Sequence, residues 1–134
     1  MVADDHDGIR HLLSTVMEEI GYEVILAKNG FEAVEAAKKC RPHLAFLDVR
    51  MPVMNGLEAL GRIKSISPET TVVIMTAHIL NEVVSKAMEK GASFCIAKPF
   101  DLNKAKPFLK NFFKVDGDTG YYPPNTFSLA LPGE

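Results

Sequence analysis

The side chains with chemistry to offer follow directly on short apolar runs. Asp4 and Asp5 come after Met1-Val2-Ala3, Asp48 after Leu44-Ala45-Phe46-Leu47, Thr76 after Val72-Val73-Ile74-Met75, and Lys98 after Phe94-Cys95-Ile96-Ala97. Carboxylates crowded together repel one another and titrate abnormally unless a cation sits among them, and an all-oxygen set suits Mg²⁺ or a similar hard divalent ion. A lysine ammonium and a hydroxyl opposite such an ion complete a receptor for a phosphoryl group. Each residue alone has an ordinary explanation. Asp4 and Asp5 can cap the helix that follows, Asp48 can open a turn before Met51-Pro52, Thr76 can bond to nearby backbone, and Lys98 can be solvated. Their conjunction at the ends of successive runs is what points to a shared site.

The elements that must position these residues alternate along the chain. Helix-period segments are expected over residues 8–20, 31–40, 57–66, 82–90 and 102–114, and short apolar runs over 23–27, 44–47, 71–75 and 94–97, with 1–3 as a very short first strand. The first helix is the clearest, because Ile9, Leu12, Leu13, Val16, Met17 and Ile20 line one face at a 3.6-residue period and Gly21 then stops it. The runs Val24-Ile25-Leu26, Leu44–Leu47 and Val72–Met75 are apolar throughout, as parallel strands are when helices cover both sheet faces. Repeated βα units join by right-handed crossovers into an open parallel sheet, so the expected fold is a three-layer α/β sandwich. In such a sheet ligands bind outside the carboxyl ends of the strands, where the polar residues above fall.

Composition narrows the function. With 134 residues, 15 Lys+Arg against 17 Asp+Glu and two cysteines, the chain reads as one soluble domain without the basic field that holds a nucleic acid backbone. No apolar run approaches the roughly 20 residues that span a bilayer, so no membrane association and a cytoplasmic location are expected. Cys40 and Cys95 lack partners at metal-ligand spacing, and reduced thiols are expected. The segment 115–134 carries Asp116-Gly117-Asp118, Pro123-Pro124 and Pro132-Gly133, the punctuation of a flexible tail or linker after a domain spanning 1–114.

Taken together, Asp4-Asp5, Leu47-Asp48-Val49-Arg50-Met51-Pro52 with Asn55-Gly56, Met75-Thr76-Ala77 and Ala97-Lys98-Pro99-Phe100 resemble the receiver domain of two-component response regulators. The likeness runs from residue 2 to about 114 and extends to chemotaxis receivers and single-domain phosphorelay receivers. It implies a flavodoxin-like (βα)5 fold with a five-stranded parallel sheet in the order 2-1-3-4-5. It also implies that Asp48 accepts a phosphoryl group, that Asp5 and Asp48 bind Mg²⁺ with the Arg50 carbonyl while Asp4 assists through water, and that Thr76 and Lys98 contact phosphoryl oxygens. A cis Lys98-Pro99 peptide belongs to the same pattern; cis bonds are essentially a proline property. The implied donor is a sensor histidine kinase or a histidine phosphotransfer protein, with a downstream effector domain or protein receiving the signal. The protein would be a switch that catalyses only its own phosphorylation and dephosphorylation.

Two other functions use similar ingredients. An aspartate-nucleophile phosphohydrolase of the dehalogenase-like type wants a second aspartate two residues after its nucleophile, where this chain has Arg50. A flavin-binding protein of this fold wants a Ser/Thr/Gly phosphate loop after the first strand, where Asp4, Asp5 and Asp7 would repel the phosphate. Departures from the receiver pattern also bear on mechanism. Cys95 stands three positions before the lysine, where receivers commonly carry an aromatic ring that moves with the threonine, so a weaker response on the distant face is expected. Pro107 should kink or restart the last helix, whose Phe108, Phe112 and Phe113 read as core. Asp101-Leu102-Asn103 and the helix-one residues Arg10, His11 and Ser14 are expected partner contacts by family geometry.

Overall fold

The computed structural model describes residues 1–78 and 80–98 of the chain. The fifth helix over 102–114, the Lys98-Pro99 peptide, Pro107 and its neighbouring phenylalanines, the loop at 101–103 and the tail over 115–134 lie outside the described residues. In chain order the elements are β1 (Val2–Ala3), α1 (Asp7–Ile20), β2 (Leu26–Ala27), α2 (Gly30–Cys40), β3 (Leu44–Asp48), α3 (Gly56–Ile66), β4 (Thr71–Thr76), α4 (Asn81–Glu89) and β5 (Phe94–Ala97). All strand pairs are parallel and the sheet order is β2-β1-β3-β4-β5, as the resemblance implied. Among the described residues no helix is long and apolar enough to cross a membrane.

Local sequence explains where the helices begin and end. Asn29 and Asn55 each accept the backbone N–H three residues on, from Glu32 and Glu58, and so cap α2 and α3; each is followed by glycine. His6 caps α1 by accepting the Ile9 N–H, so neither Asp4 nor Asp5 is used as the cap. Gly21 closes α1 at φ 112°, a left-handed conformation that glycine adopts without a Cβ penalty.

Strand alternation sends side chains into two cores. Ala45, Leu47, Val72, Ile74 and Cys95 face α2, α3 and α4, where they meet Ala33, Ala37, Leu60, Ile63 and Ala87. Phe46, Val73, Met75 and Ile96 face the other way, against Leu13, Val16 and Met17 of α1. Phe94 packs on that second side, opposite Cys95, as alternation along a strand requires. Each large side chain buried this way stabilises the fold by about 1.5–3 kcal/mol relative to exposure, so the central strands form a stiff base for the residues at their ends.

One expectation needs correction. The apolar run 23–27 contributes only Leu26–Ala27 as strand, and Leu26 is 49% exposed rather than covered on both faces. Among the described residues only β1 flanks it, and β1 itself has two residues, so pairing stops at Val2↔Leu26 and Ala3↔Ala27. The strand lies at the sheet edge, where helices cover less.

Candidate functional site

Three strands deliver the acidic and basic groups to one edge. The Asp4 N–H donates to the Ala27 carbonyl (3.1 Å), which carries β1 just past its last paired residue and leaves Asp4 buried and Asp5 exposed. Asp48 is the last residue of β3, opposite Met75 of β4, and is buried. The Lys98 N–H donates to the Thr76 carbonyl (2.8 Å), and this places the lysine beside the end of β4. From there its ammonium reaches Asp4 Oδ2 at 2.8 Å and Asp48 Oδ1 at 3.3 Å.

Gly56 decides how closely α3 can approach. A Cβ at this position would stand 2.1 Å from the Asp48 carbonyl oxygen and 2.8 Å from its carbon, so only glycine lets the helix start against the backbone of the central aspartate. The Gly56 N–H donates to the Val49 carbonyl (2.9 Å) and ties the intervening loop to that point.

Electrostatics at this edge are unbalanced. One carboxylate oxygen from each of Asp4, Asp5 and Asp48 lies within 4.8 Å of the other two. Burial, and after it the charge of Asp4, pushes the Asp48 carboxyl up to about 6, with Lys98 opposing that rise. Asp4 Oδ2 is buried and close to the ammonium, yet it receives no aligned hydrogen bond. The contact is Coulombic only, and one oxygen is left aimed into the cluster with unused acceptor capacity. Three carboxylates, one of them with an orphaned oxygen, form a hard, anionic donor set that fits Mg²⁺, beside which the Lys98 ammonium offsets part of the charge. An open cleft of about 540 Å³, lined by Asp5, Arg50, Met51, Pro52 and Asn55 among others, borders the cluster at Asp5.

The residues singled out in the sequence are therefore brought together unequally. Asp4, Asp5, Asp48 and Lys98 form one cluster. Thr76 is buried at the adjacent strand end, but its hydroxyl donates to the His78 carbonyl (3.1 Å) and accepts the His78 N–H (3.2 Å), the local backbone engagement open to a strand-end hydroxyl. Arg50 is exposed on the cleft wall. The expected partner face on helix one needs correction, because Arg10 and Ser14 are buried and internally bonded, Arg10 to the Asp4 carbonyl (2.7 Å) and Asp7, Ser14 to Glu18 (3.1 Å). Only His11 of the three is exposed. Asp7 and Arg10 stand three apart, neighbours on a helix surface, and that spacing was a signal for their pairing. Nothing in the sequence showed that the arginine also reaches back to β1.

The profile of the Response regulator receiver domain family matches residues 1–109. The chain belongs to that family. The receiver domain is 38% identical over 115 residues to sporulation initiation phosphotransferase F of Bacillus subtilis, covering 86% of this chain and 93% of the relative. Its fold superposes on the chemotaxis protein CheY4 of Vibrio cholerae with a TM-score of 0.73 and 31% identity, covering 85% of this chain and 94% of the other. A third match is the CheX-CheY-BeF3-Mg+2 complex from Borrelia burgdorferi, at TM-score 0.76 and 28% identity, covering 84% and 86% of the two chains. A receiver domain is a phosphoaccepting switch of two-component and phosphorelay signalling. Neither the phosphohydrolase nor the flavin-binding alternative gains support from these relatives.

Proposed function

We propose that Asp48 is the phosphoacceptor of this receiver domain and that a phosphohistidine, on a sensor histidine kinase or a histidine phosphotransfer protein, is the donor. The observation that carries this reading is the Asp4–Asp5–Asp48 cluster bridged by Lys98 at the carboxyl ends of three strands. A carboxylate and a phosphoryl group are both anionic, so the reaction needs positive charge at the meeting point and an in-line approach. Mg²⁺, held by Asp5, Asp48 and the Arg50 carbonyl with Asp4 assisting, supplies the larger share of that charge when bound. Lys98 supplies the rest from the opposite side, its ammonium already within reach of Asp48. At neutral pH the Asp48 carboxyl, pushed up to about 6, is still mostly ionised and able to attack. An Asp48 oxygen bonds to phosphorus as the phosphorus–nitrogen bond breaks, and the imidazole leaves. Thr76 then offers its hydroxyl to a phosphoryl oxygen once its bond to the His78 carbonyl is exchanged.

The Borrelia CheX-CheY-BeF3-Mg+2 complex supports this choice of ion and anion by similarity. We assign residues 1–114 to the receiver and 115–134 to a linker or tail, with an effector domain or separate protein reading the signal in the cytoplasm. The test is phosphorylation by a small phosphodonor in Mg²⁺, followed by mapping of the modified residue. Wild type should gain a single acid-stable, base-labile phosphoryl group on Asp48, and Asp48→Asn should gain none. Covalent phosphate on another residue of the wild-type protein would overturn the assignment.

A further inference from the structure

Every polar group of Asp4 except Oδ2 is hydrogen-bonded, and Arg10 closes the set. The Asp4 N–H bonds to Ala27 across the sheet, Oδ1 accepts the His6 N–H (2.8 Å), Oδ2 faces Lys98, and the carbonyl accepts Arg10 Nη1 at 2.7 Å. The arginine comes from the first turns of α1, folds back under the β1–α1 loop and is 9% exposed. Its second nitrogen pairs with the Asp7 carboxylate, which is held below the usual carboxylate range by that contact. A guanidinium can bond to two oxygens at fixed geometry because it is planar and forked, whereas an ammonium is a point donor on a flexible stem. Between Asp4 and Asp7 the fork spans the whole loop that carries Asp4 and Asp5.

We propose that Arg10 is a positioning residue for the acidic cluster: it fixes the Asp4–Asp5 peptide from behind so that both carboxylates are presented to the bound cation, with Asp7 steering its charge away from them. The proposal rests on the metal-binding reading above and deepens it. Without the guanidinium the buried Asp4 carbonyl loses its side-chain donor, and the peptide is free to turn toward water. The carboxylates then sample orientations in which they do not converge. Outer partners that orient metal ligands are typically worth 10–100-fold in metal affinity.

The experiment is Mg²⁺ titration by calorimetry, suited to a chain without tryptophan, with a thermal melt of the same samples. Arg10→Met should weaken Mg²⁺ binding by about tenfold, the lower end of that range. Arg10→Lys, which keeps one donor, should fall between it and wild type, and His11→Ala on the exposed neighbour should leave affinity unchanged. A purely structural arginine would lower the melting temperature and leave the affinity of the folded protein untouched, and that result in Arg10→Met would overturn the proposal. If Arg10→Met does not fold, Arg10→Lys decides: wild-type affinity refutes positioning, and reduced affinity supports it. If wild type itself binds no Mg²⁺, the metal reading fails first and takes this inference with it, an outcome distinct from tight wild-type binding with indifferent variants.

Discussion

Asp48→Asn should stabilise the protein in the absence of divalent cations, although it removes the central residue of the site. Burial and the neighbouring Asp4 charge push the Asp48 carboxyl from its ordinary 3.8 up to about 6. For an acid whose folded value is raised, the native state holds its proton over a range in which the unfolded chain has already lost it. Stability is therefore greatest below the unfolded value and falls as pH rises from about 3.8 to about 6, after which the loss is constant. At about 1.36 kcal/mol per unit, a rise of roughly two units costs the folded protein about 3 kcal/mol at pH 8. Asparagine has the same shape and never ionises, so the variant escapes this loss. Urea denaturation at several pH values, with a chelator present, should show the two proteins nearly equal at pH 4 and the variant more stable by about 2–3 kcal/mol at pH 8. Saturating Mg²⁺ should narrow the difference by stabilising wild type selectively, since a ligand that binds only the native state adds its binding free energy. A gap that does not change with pH, or a variant less stable at pH 8, would refute the account of Asp48 as a carboxylate held in an unfavourable field.

Three other outcomes follow from named contacts. Gly56→Ala must push a Cβ away from the Asp48 backbone, which stands 2.1 Å off at the carbonyl oxygen; it should cost about 2–3 kcal/mol in denaturation and slow phosphorylation as Asp48 shifts, and an unaltered midpoint would show that α3 yields freely. Arg50→Ala should change the phosphoryl lifetime several-fold while leaving Mg²⁺ affinity as it was, because a side chain on the cleft wall can cover and pair with the phosphoryl group whereas only its carbonyl is assigned to the ion; equal lifetimes in a hydrolysis time course would leave the guanidinium without a kinetic role. Thiol labelling at pH 8 should modify exposed Cys40 quickly and Cys95 at least about 100-fold more slowly, since Cys95 is 4% exposed and burial pushes its thiol up to about 11; comparable rates would mean that β5 opens readily.

Much of the site was legible in the sequence because parallel sheets have a simple geometry. A run of apolar residues that ends in a polar one marks both a strand and its carboxyl end, so the sequence alone assigns Asp4, Asp48, Thr76 and Lys98 to one edge. Caps were equally local: Asn29-Gly30 with Glu32 and Asn55-Gly56 with Glu58 begin α2 and α3 by contacts within a few residues. What needed the tertiary structure were facts about distance across the sheet. The length of β2 depended on how much of β1 lay beside it, so apolar Val24 and Ile25 stayed outside the strand despite their type. Arg10 and Ser14 read as an accessible helix face, but α1 turns them inward, and Arg10 finds a carbonyl six residues away that no period in the sequence connects to it. The glycine at 56 reads as an ordinary helix start until the Asp48 backbone is seen beside it. Residue types and their spacing determine which groups can do chemistry and at which end of the fold they gather. Only the packed structure decides their separations, and with them the raised carboxyl of Asp48, because desolvation and charge repulsion depend on what surrounds a group in space and not on its neighbours along the chain.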